Sequence, residues 1–262
     1  MKNIFNKIII LFAATLFCTS CEENAIPELT VPVNEGSTLA KFFFHAEDAP
    51  TANFYFFEDK VTAYNTSEEE LDGLDYKGVY PSNAYALVPS GSTEVRAVDL
   101  EGNELAYMEF NFQVGQNYSI YLVGTTGNYE VAIIEDNLPE DDPQKIYWRF
   151  VNTMADMPFN VDAYAIRAAV PATEESPAED VQVIELGQNI GFKEGGDYQL
   201  LEPGSYTFKV FDAGSTYDPV ESDPYIQHSV NVGTRGRTYT TQIRGTYKDP
   251  SSSSNIDFWR DR

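Results

Sequence analysis

The second half of this chain repeats its first, and that restricts its fold more than any other feature. Tyr85-Ala86-Leu87-Val88-Pro89-Ser90-Gly91-Ser92-Thr93-Glu94-Val95-Arg96-Ala97-Val98-Asp99 aligns without gaps on Tyr198-Gln199-Leu200-Leu201-Glu202-Pro203-Gly204-Ser205-Tyr206-Thr207-Phe208-Lys209-Val210-Phe211-Asp212, with five identical positions. Val114-Gly115, Tyr118 and Gly124-Thr125 return as Val232-Gly233, Tyr239 and Gly245-Thr246, with three extra residues in the second turn. Upstream, Asp48-Ala49-Pro50 before Asn53-Phe54-Tyr55 returns as Asp156-Met157-Pro158 before Asp162-Ala163-Tyr164. Three anchors in the same order predict two homologous domains, 38–142 and 143–262, meeting near Pro139-Glu140-Asp141-Asp142-Pro143.

Each copy reads as strands. Tyr206, Phe208 and Val210 alternate with Thr207 and Lys209, and Val95 and Ala97 with Glu94 and Arg96, the period-two pattern of a sheet with one buried face. Short runs recur at 42–44, 54–57, 108–112, 118–123 and 129–134, punctuated by Gly, Pro, Asn and Asp. The spacing predicts an all-β protein: two tandem immunoglobulin-like β-sandwiches of about seven strands each, without the cysteine pair of that fold. The acidic stretches 66–75 and 171–180 read as loops inserted at the same place in each copy. Gly124-Thr125-Thr126-Gly127 and Gly233-Thr234-Arg235-Gly236-Arg237 read as hairpin turns.

The N-terminus has the form of an address. Lys2 and Lys7 precede an apolar run from Ile8 to Phe17 that ends in Cys18-Thr19-Ser20-Cys21, which resembles a lipobox. Residues 1–20 are expected to be a lipoprotein signal peptide, Cys21 the acylated residue, and 21–37, with Pro27, Pro32 and Gly36, a flexible tether. Cleavage there discards Cys18 and leaves no thiol for a disulfide, so packing alone must hold the fold. Glu22-Glu23 resembles the export signal of outer-membrane lipoproteins in one group of Gram-negative gut bacteria. The expected location is therefore the bacterial outer membrane, facing the exterior.

A family resemblance is carried by His45-Ala46-Glu47-Asp48-Ala49-Pro50 with Phe54-Tyr55, and by Val151-Asn152 through Asp156, Pro158 and Val161-Asp162-Ala163-Tyr164. These runs look like the opening signature of the domain-of-unknown-function 4397 family. Val88-Pro89-Ser90-Gly91 and Glu202-Pro203-Gly204-Ser205-Tyr206 resemble its Pro-Gly hairpin and following aromatic strand. The resemblance runs from about Leu39 to the C-terminus. It implies a tandem β-sandwich envelope or secreted protein and brings no activity with it.

Seventeen Lys and Arg face 41 Asp and Glu, a net charge of -24 that argues against nucleic-acid binding. Two histidines and two cysteines leave little for metal or nucleophilic chemistry, and no cofactor or catalytic residue is expected. Asp48 and Asp156, before prolines, suggest calcium ligands or simple turn caps. Glu68-Glu69-Glu70 with Asp72 and Asp75, and Glu140-Asp141-Asp142, suggest cation sites or solvated loops. Tyr55, Phe57, Tyr217 and Tyr225 are candidate exposed rings for a sugar or protein partner, against the alternative of core packing. The sequence therefore predicts a lipid-anchored, non-catalytic binding or structural module for a glycan or surface protein. A spacer, an assembly subunit exchanging a β-strand, and a glycoside hydrolase are the alternatives.

Overall fold

In the computed structural model, which describes residues 36–62, 64–66, 69–71, 73–173 and 177–262, alternation and its absence sort the strands into outer and inner layers. The first copy contains β1 (Ser37–Phe44), β2 (Ala52–Phe56), β3 (Asp59–Lys60), β4 (Tyr64–Thr66), β5 (Glu69–Leu71), β6 (Val79–Tyr80), β7 (Ala86–Pro89), β8 (Gly91–Asp99), β9 (Glu104–Phe112), β10 (Asn117–Thr125) and β11 (Asn128–Glu135). The second contains β12 (Ile146–Ala155), β13 (Val161–Arg167), β14 (Gln182–Ile190), β15 (Glu194–Gly195), β16 (Gln199–Leu201), β17 (Gly204–Asp212), β18 (Ile226–Val232), β19 (Arg237–Thr246) and β20 (Ile256–Arg260). The described residues contain no α-helix. The signal peptide and Cys21 lie outside them, as do most of the tether and the acidic Glu68 and Asp72.

Each copy is a sandwich of two sheets with one topology. The inner sheet of the first copy runs β11-β10-β1, with β6 and β7 lying end to end along the far edge of β1; the outer sheet runs β3-β2-β8-β9. In the second copy β20-β19-β12 is edged by β15 and β16, and the outer sheet runs β14-β13-β17-β18. β1 runs parallel to β10 and β12 parallel to β19, while every other pair is antiparallel. Register is repeated too: Ala52 pairs Asp99 as Val161 pairs Asp212, and Tyr118 pairs Glu135 as Tyr239 pairs Arg260.

The outer strands alternate because only one of their faces is dry. Val95 and Ala97 in β8, and Tyr206, Phe208 and Val210 in β17, point into the two sandwich cores. The central inner strands are buried on both faces, which is why 42–44 and 120–123 read as unbroken apolar runs while polar residues such as Lys41 and Arg149 are buried beside them. Phe42 and Phe44 enter the first core, while Phe43 points the other way, into a third cluster with Tyr121, Val123, Ala132 and Val151. That cluster joins the copies, as β10 packs against β12 and β19. The four sheets stack face to face, and residues Glu35–Arg262 form one compact unit.

Several expectations are corrected. The described strands number eleven in the first copy and nine in the second, because an inner-sheet edge is split in each, into β6 plus β7 and into β15 plus β16, and the first copy adds the β4–β5 hairpin. Val88 to Gly91, Pro203-Gly204 and Gly233 to Arg237 are not hairpin turns, because the strands on either side of each lie in different sheets. Gly124 to Gly127 is a hairpin turn, closed by Thr125 opposite Asn128. The acidic stretches are not at the same place. The first contains the β4–β5 hairpin and interrupts an edge strand between Lys60 and Leu74; the second precedes the continuous edge strand β14.

Candidate functional site

The faces that meet between the copies are unusually polar for a buried surface, and the repeat explains how they are satisfied. Aligning Asp48 on Asp156, Tyr85 on Tyr198 and Gly124 on Gly245 gives each copy the same four groups. These are Lys41, Tyr85, Ser119 and Asp136 in the first, and Arg149, Tyr198, Thr240 and Asp261 in the second. Ser119 Oγ and Tyr85 OH each donate to Asp136 Oδ2 at 2.8 Å. Thr240 Oγ1 and Tyr198 OH donate to Asp261 Oδ2 at 2.7 and 3.0 Å. The Lys41 ammonium lies over the Tyr85 ring at 5.3 Å, and the Arg149 guanidinium over Tyr198 at 4.8 Å.

Both cations then cross the interface. Arg149 Nη2 donates to Asp136 Oδ1, and Lys41 Nζ donates 2.5 Å to the carbonyl oxygen of Arg260, next to Asp261. Burial pulls the Lys41 ammonium down against the pull of Asp261 and Asp136. Burial also opposes the charge on Arg149, the largest single effect on it, but Asp136, Tyr198 and Asp261 together outweigh it and hold the guanidinium well above its usual value. Burial pushes Asp261 up to about 6 despite Arg149 and Lys41. Burial likewise keeps the Tyr85 and Tyr198 phenols protonated. Two cations and two carboxyls buried together make a locally balanced set, as a low-dielectric interior requires.

The quartets sit beneath two mouths related by the repeat, and the mouths differ. One, of about 650 Å³, lies between Asn83-Ala84-Tyr85 of the first copy and Arg260-Asp261-Arg262 of the second, with Arg237 beside them. The other, of about 70 Å³, lies between Gly196-Asp197-Tyr198 and the segment containing Glu135 and Asn137. Arg260 and Arg262 thus stand where the closed mouth has Glu135 and Asn137, and Ala84 stands where it has Asp197. Arg262 Nη2 donates to Pro139 O at 2.8 Å and its Nε is 3.8 Å from Asp141; Arg260 Nη2 donates to Asn83 O at 3.3 Å. Among the described residues the Arg237 guanidinium has no hydrogen-bond or ion-pair partner.

The residues singled out by sequence are mostly structural. Asp48 anchors the β10–β11 turn, accepting from Thr126 N at 2.9 Å and from the Thr126 hydroxyl; slight burial raises its carboxyl, but these bonds lower it further. Asp156 occupies the left-handed region, φ 58°, which Asp tolerates well. Asp75 accepts from Thr51, Asp142 caps Gln144 N at 2.9 Å, and no three His, Cys, Asp or Glu cluster as a metal site among the described residues. Tyr217 stacks on Phe211 at 4.3 Å and donates to Asp162; Tyr225 stacks on Tyr247 at 5.4 Å. Tyr55 lies under Arg96, and Phe57, 49% exposed, sits in the β2–β3 turn. The four rings do not form one platform: Tyr55 and Phe57 belong to the first copy, Tyr217 and Tyr225 to the second. His45 and His228 are held neutral by burial, with Arg244 adding to the effect at His45; His228 is lowered to about 4.

Lys41, Arg149, Asp136, Asp261 and the three mouth arginines were not apparent from sequence. A signal existed for two of them: Lys41 and Arg149 interrupt apolar runs at the same repeat position.

Fold and interface together define a tandem immunoglobulin-like β-sandwich protein whose copies pack inner sheet on inner sheet. Residues 40–164 match the family described as "Domain of unknown function (DUF4397)". The matched stretch starts in β1 and ends in β13, short of the C-terminus to which the sequence motifs extend. No curated protein matches the chain. Among solved structures, it is similar to a family 26 carbohydrate-binding module from Eubacterium rectale Amy13K in complex with maltoheptaose. That likeness has 10% identity, TM-score 0.25, and covers 86% of this chain and 97% of that one. A candidate cell adhesion protein from Bacteroides ovatus gives 9% identity and TM-score 0.27 over 86% and 95%. The Bacillus anthracis TIE protein gives 13% identity and TM-score 0.22 over 80% and 33%. These are loose likenesses.

Proposed function

We propose that this chain is a non-catalytic binding module of the bacterial outer membrane, tethered by lipid on Cys21 and displayed outward on residues 21–37. The observation that carries the binding reading is the contrast between the two mouths. In the interface Arg149 is spent on Asp136 and Lys41 on the Arg260 carbonyl, yet at the open mouth arginines border free space. A rigid support suits that role. The connection between copies is pinned by Arg262 on Pro139 O, by Arg235 Nη1 on Gln144 O at 2.7 Å and by Gly236 N on Lys145 O at 2.8 Å. Acid–base catalysis is disfavoured because both histidines are sequestered as neutral rings and Asp261 lies beneath Tyr198 and Thr240.

Anchoring and display are tested on cells. Cys21→Ala should abolish incorporation of labelled palmitate and release the protein from membranes, and protease added to intact cells should degrade the wild type while sparing a periplasmic control. Retained label in the variant would remove the anchor; protection of the wild type would remove the outward display.

A further inference from the structure

The strongest feature left unexplained is the divergence of the two mouths. The duplication supplies an internal comparison: the same backbone, the same buried Asp and Tyr, and opposite outer charges. Glu135, Asn137 and Asp197 on one side correspond to Arg260, Arg262 and Ala84 on the other. The chain has 17 basic residues against 41 acidic ones, so three arginines around one cleft stand against the composition. Polar bonding does not require all three, since among the described residues the Arg237 guanidinium makes no hydrogen bond or ion pair. Below them Lys41, Arg149, Asp136 and Asp261 balance in charge, so the guanidinium groups set the sign of the mouth.

We infer that this cleft binds a singly charged carboxylated sugar, one or two rings in size, with its carboxylate on the Arg237, Arg260 and Arg262 guanidinium groups. The planar guanidinium fork matches a carboxylate in two parallel hydrogen bonds. Asn83 and Asn117 offer amide donors and acceptors for ring hydroxyls, and Leu39 and Leu138 an apolar surface for a ring face. A long polyanion is disfavoured because the chain as a whole, at -24, repels it. The inference rests on the binding-module reading and narrows it to a ligand class.

The test titrates the full chain, purified in detergent, with galacturonate, galactose, inorganic phosphate and a short neutral peptide with a free C-terminal carboxylate. Galacturonate should bind in the millimolar range and galactose should not. Arg237→Ala should weaken galacturonate about tenfold or more, the size of a lost charged hydrogen bond. Its melting temperature should change little, because the side chain makes no hydrogen bond or ion pair among the described residues. Arg96→Ala, on the outer sheet of the first copy and outside the cleft, should bind as wild type. Equal binding of galacturonate and phosphate, preference for the peptide, undiminished binding in Arg237→Ala, or no binding of galacturonate would each overturn the inference. A different preferred ligand would leave the binding-module reading standing. Failure of all four ligands would count against both that reading and the sugar, while the cell experiments on Cys21 stand apart from either result.

Discussion

His45 and Thr153 occupy the same position in the two copies and hydrogen-bond to each other, Nδ1 to Oγ1, at 2.7 Å across the interface. A repeat whose equivalent positions touch is packed about an approximate two-fold axis, the arrangement of an isologous dimer made within one chain. Lys41 with Arg149 and Asp136 with Asp261 follow the same relation, each cation reaching the opposite copy. Covalent linkage freed the two halves to differ, and they differ most at the mouths.

Thr153→Val should destabilise the fold by about 1 to 3 kcal/mol, because it removes the partner of a buried imidazole nitrogen and the donor to Ile243 O at 2.8 Å. Urea unfolding would measure it. A loss below a few tenths of a kcal/mol would mean that the histidine finds another partner.

Arg149→Met should cost more, about 3 to 5 kcal/mol, since it strands the Asp136 carboxylate in a dry interface. Replacing both, Arg149→Met with Asp136→Asn, should recover most of that loss, because the amide oxygen still accepts from Ser119 and Tyr85. Additive costs in this double-mutant cycle would show that the pair is not coupled.

The repeat made most of the sandwich legible, because insertions in turns leave strand register intact: Tyr85 to Asp99 and Tyr198 to Asp212 align as read. What could not be read was which surfaces meet. Phe42-Phe43-Phe44 reads as apolar whether one face or two are covered, and only the fold sends Phe43 away from its neighbours. Lys41 and Arg149 resemble ordinary outward charges until a second sheet covers them. Arg260 and Arg262 look like chain-end residues, and a net charge of -24 hides a local reversal of sign.

Acid should weaken the fold through its histidines. His228, packed on Phe208 and Phe258, is lowered by burial to about 4, and His45 is lowered in the same direction. A depressed histidine contributes stability that is complete above its unfolded value near 6.5 and is lost as pH falls towards its folded value. For His228 the loss between pH 6.5 and 4 is on the order of 3 kcal/mol. Asp261, raised to about 6 by burial, acts oppositely, favouring the folded state as pH falls from 6 towards 4. In chemical denaturation at several pH values, His228→Gln should flatten the decline and Asp261→Asn should steepen it. An unchanged slope in His228→Gln would place the acid sensitivity elsewhere.

Gly196 tests the packing of the second sandwich without touching charge. It follows β15, and its N donates to Phe150 O at 2.9 Å; a Cβ there would overlap the carbonyl oxygen of Leu186 in β14. That obstacle is backbone of β14 and cannot swing aside as a side chain would. Gly196→Ala should therefore push β14 from the sandwich edge and cost about 2 kcal/mol or more, as overpacking of a rigid site does. Gly233, with open space around its Cβ position and no positive φ, is the matched control, and Gly233→Ala should change stability by no more than about 0.5 kcal/mol. Comparable melting temperatures for the two variants would mean that the β14 edge yields more readily than its hydrogen bonding to β13 implies.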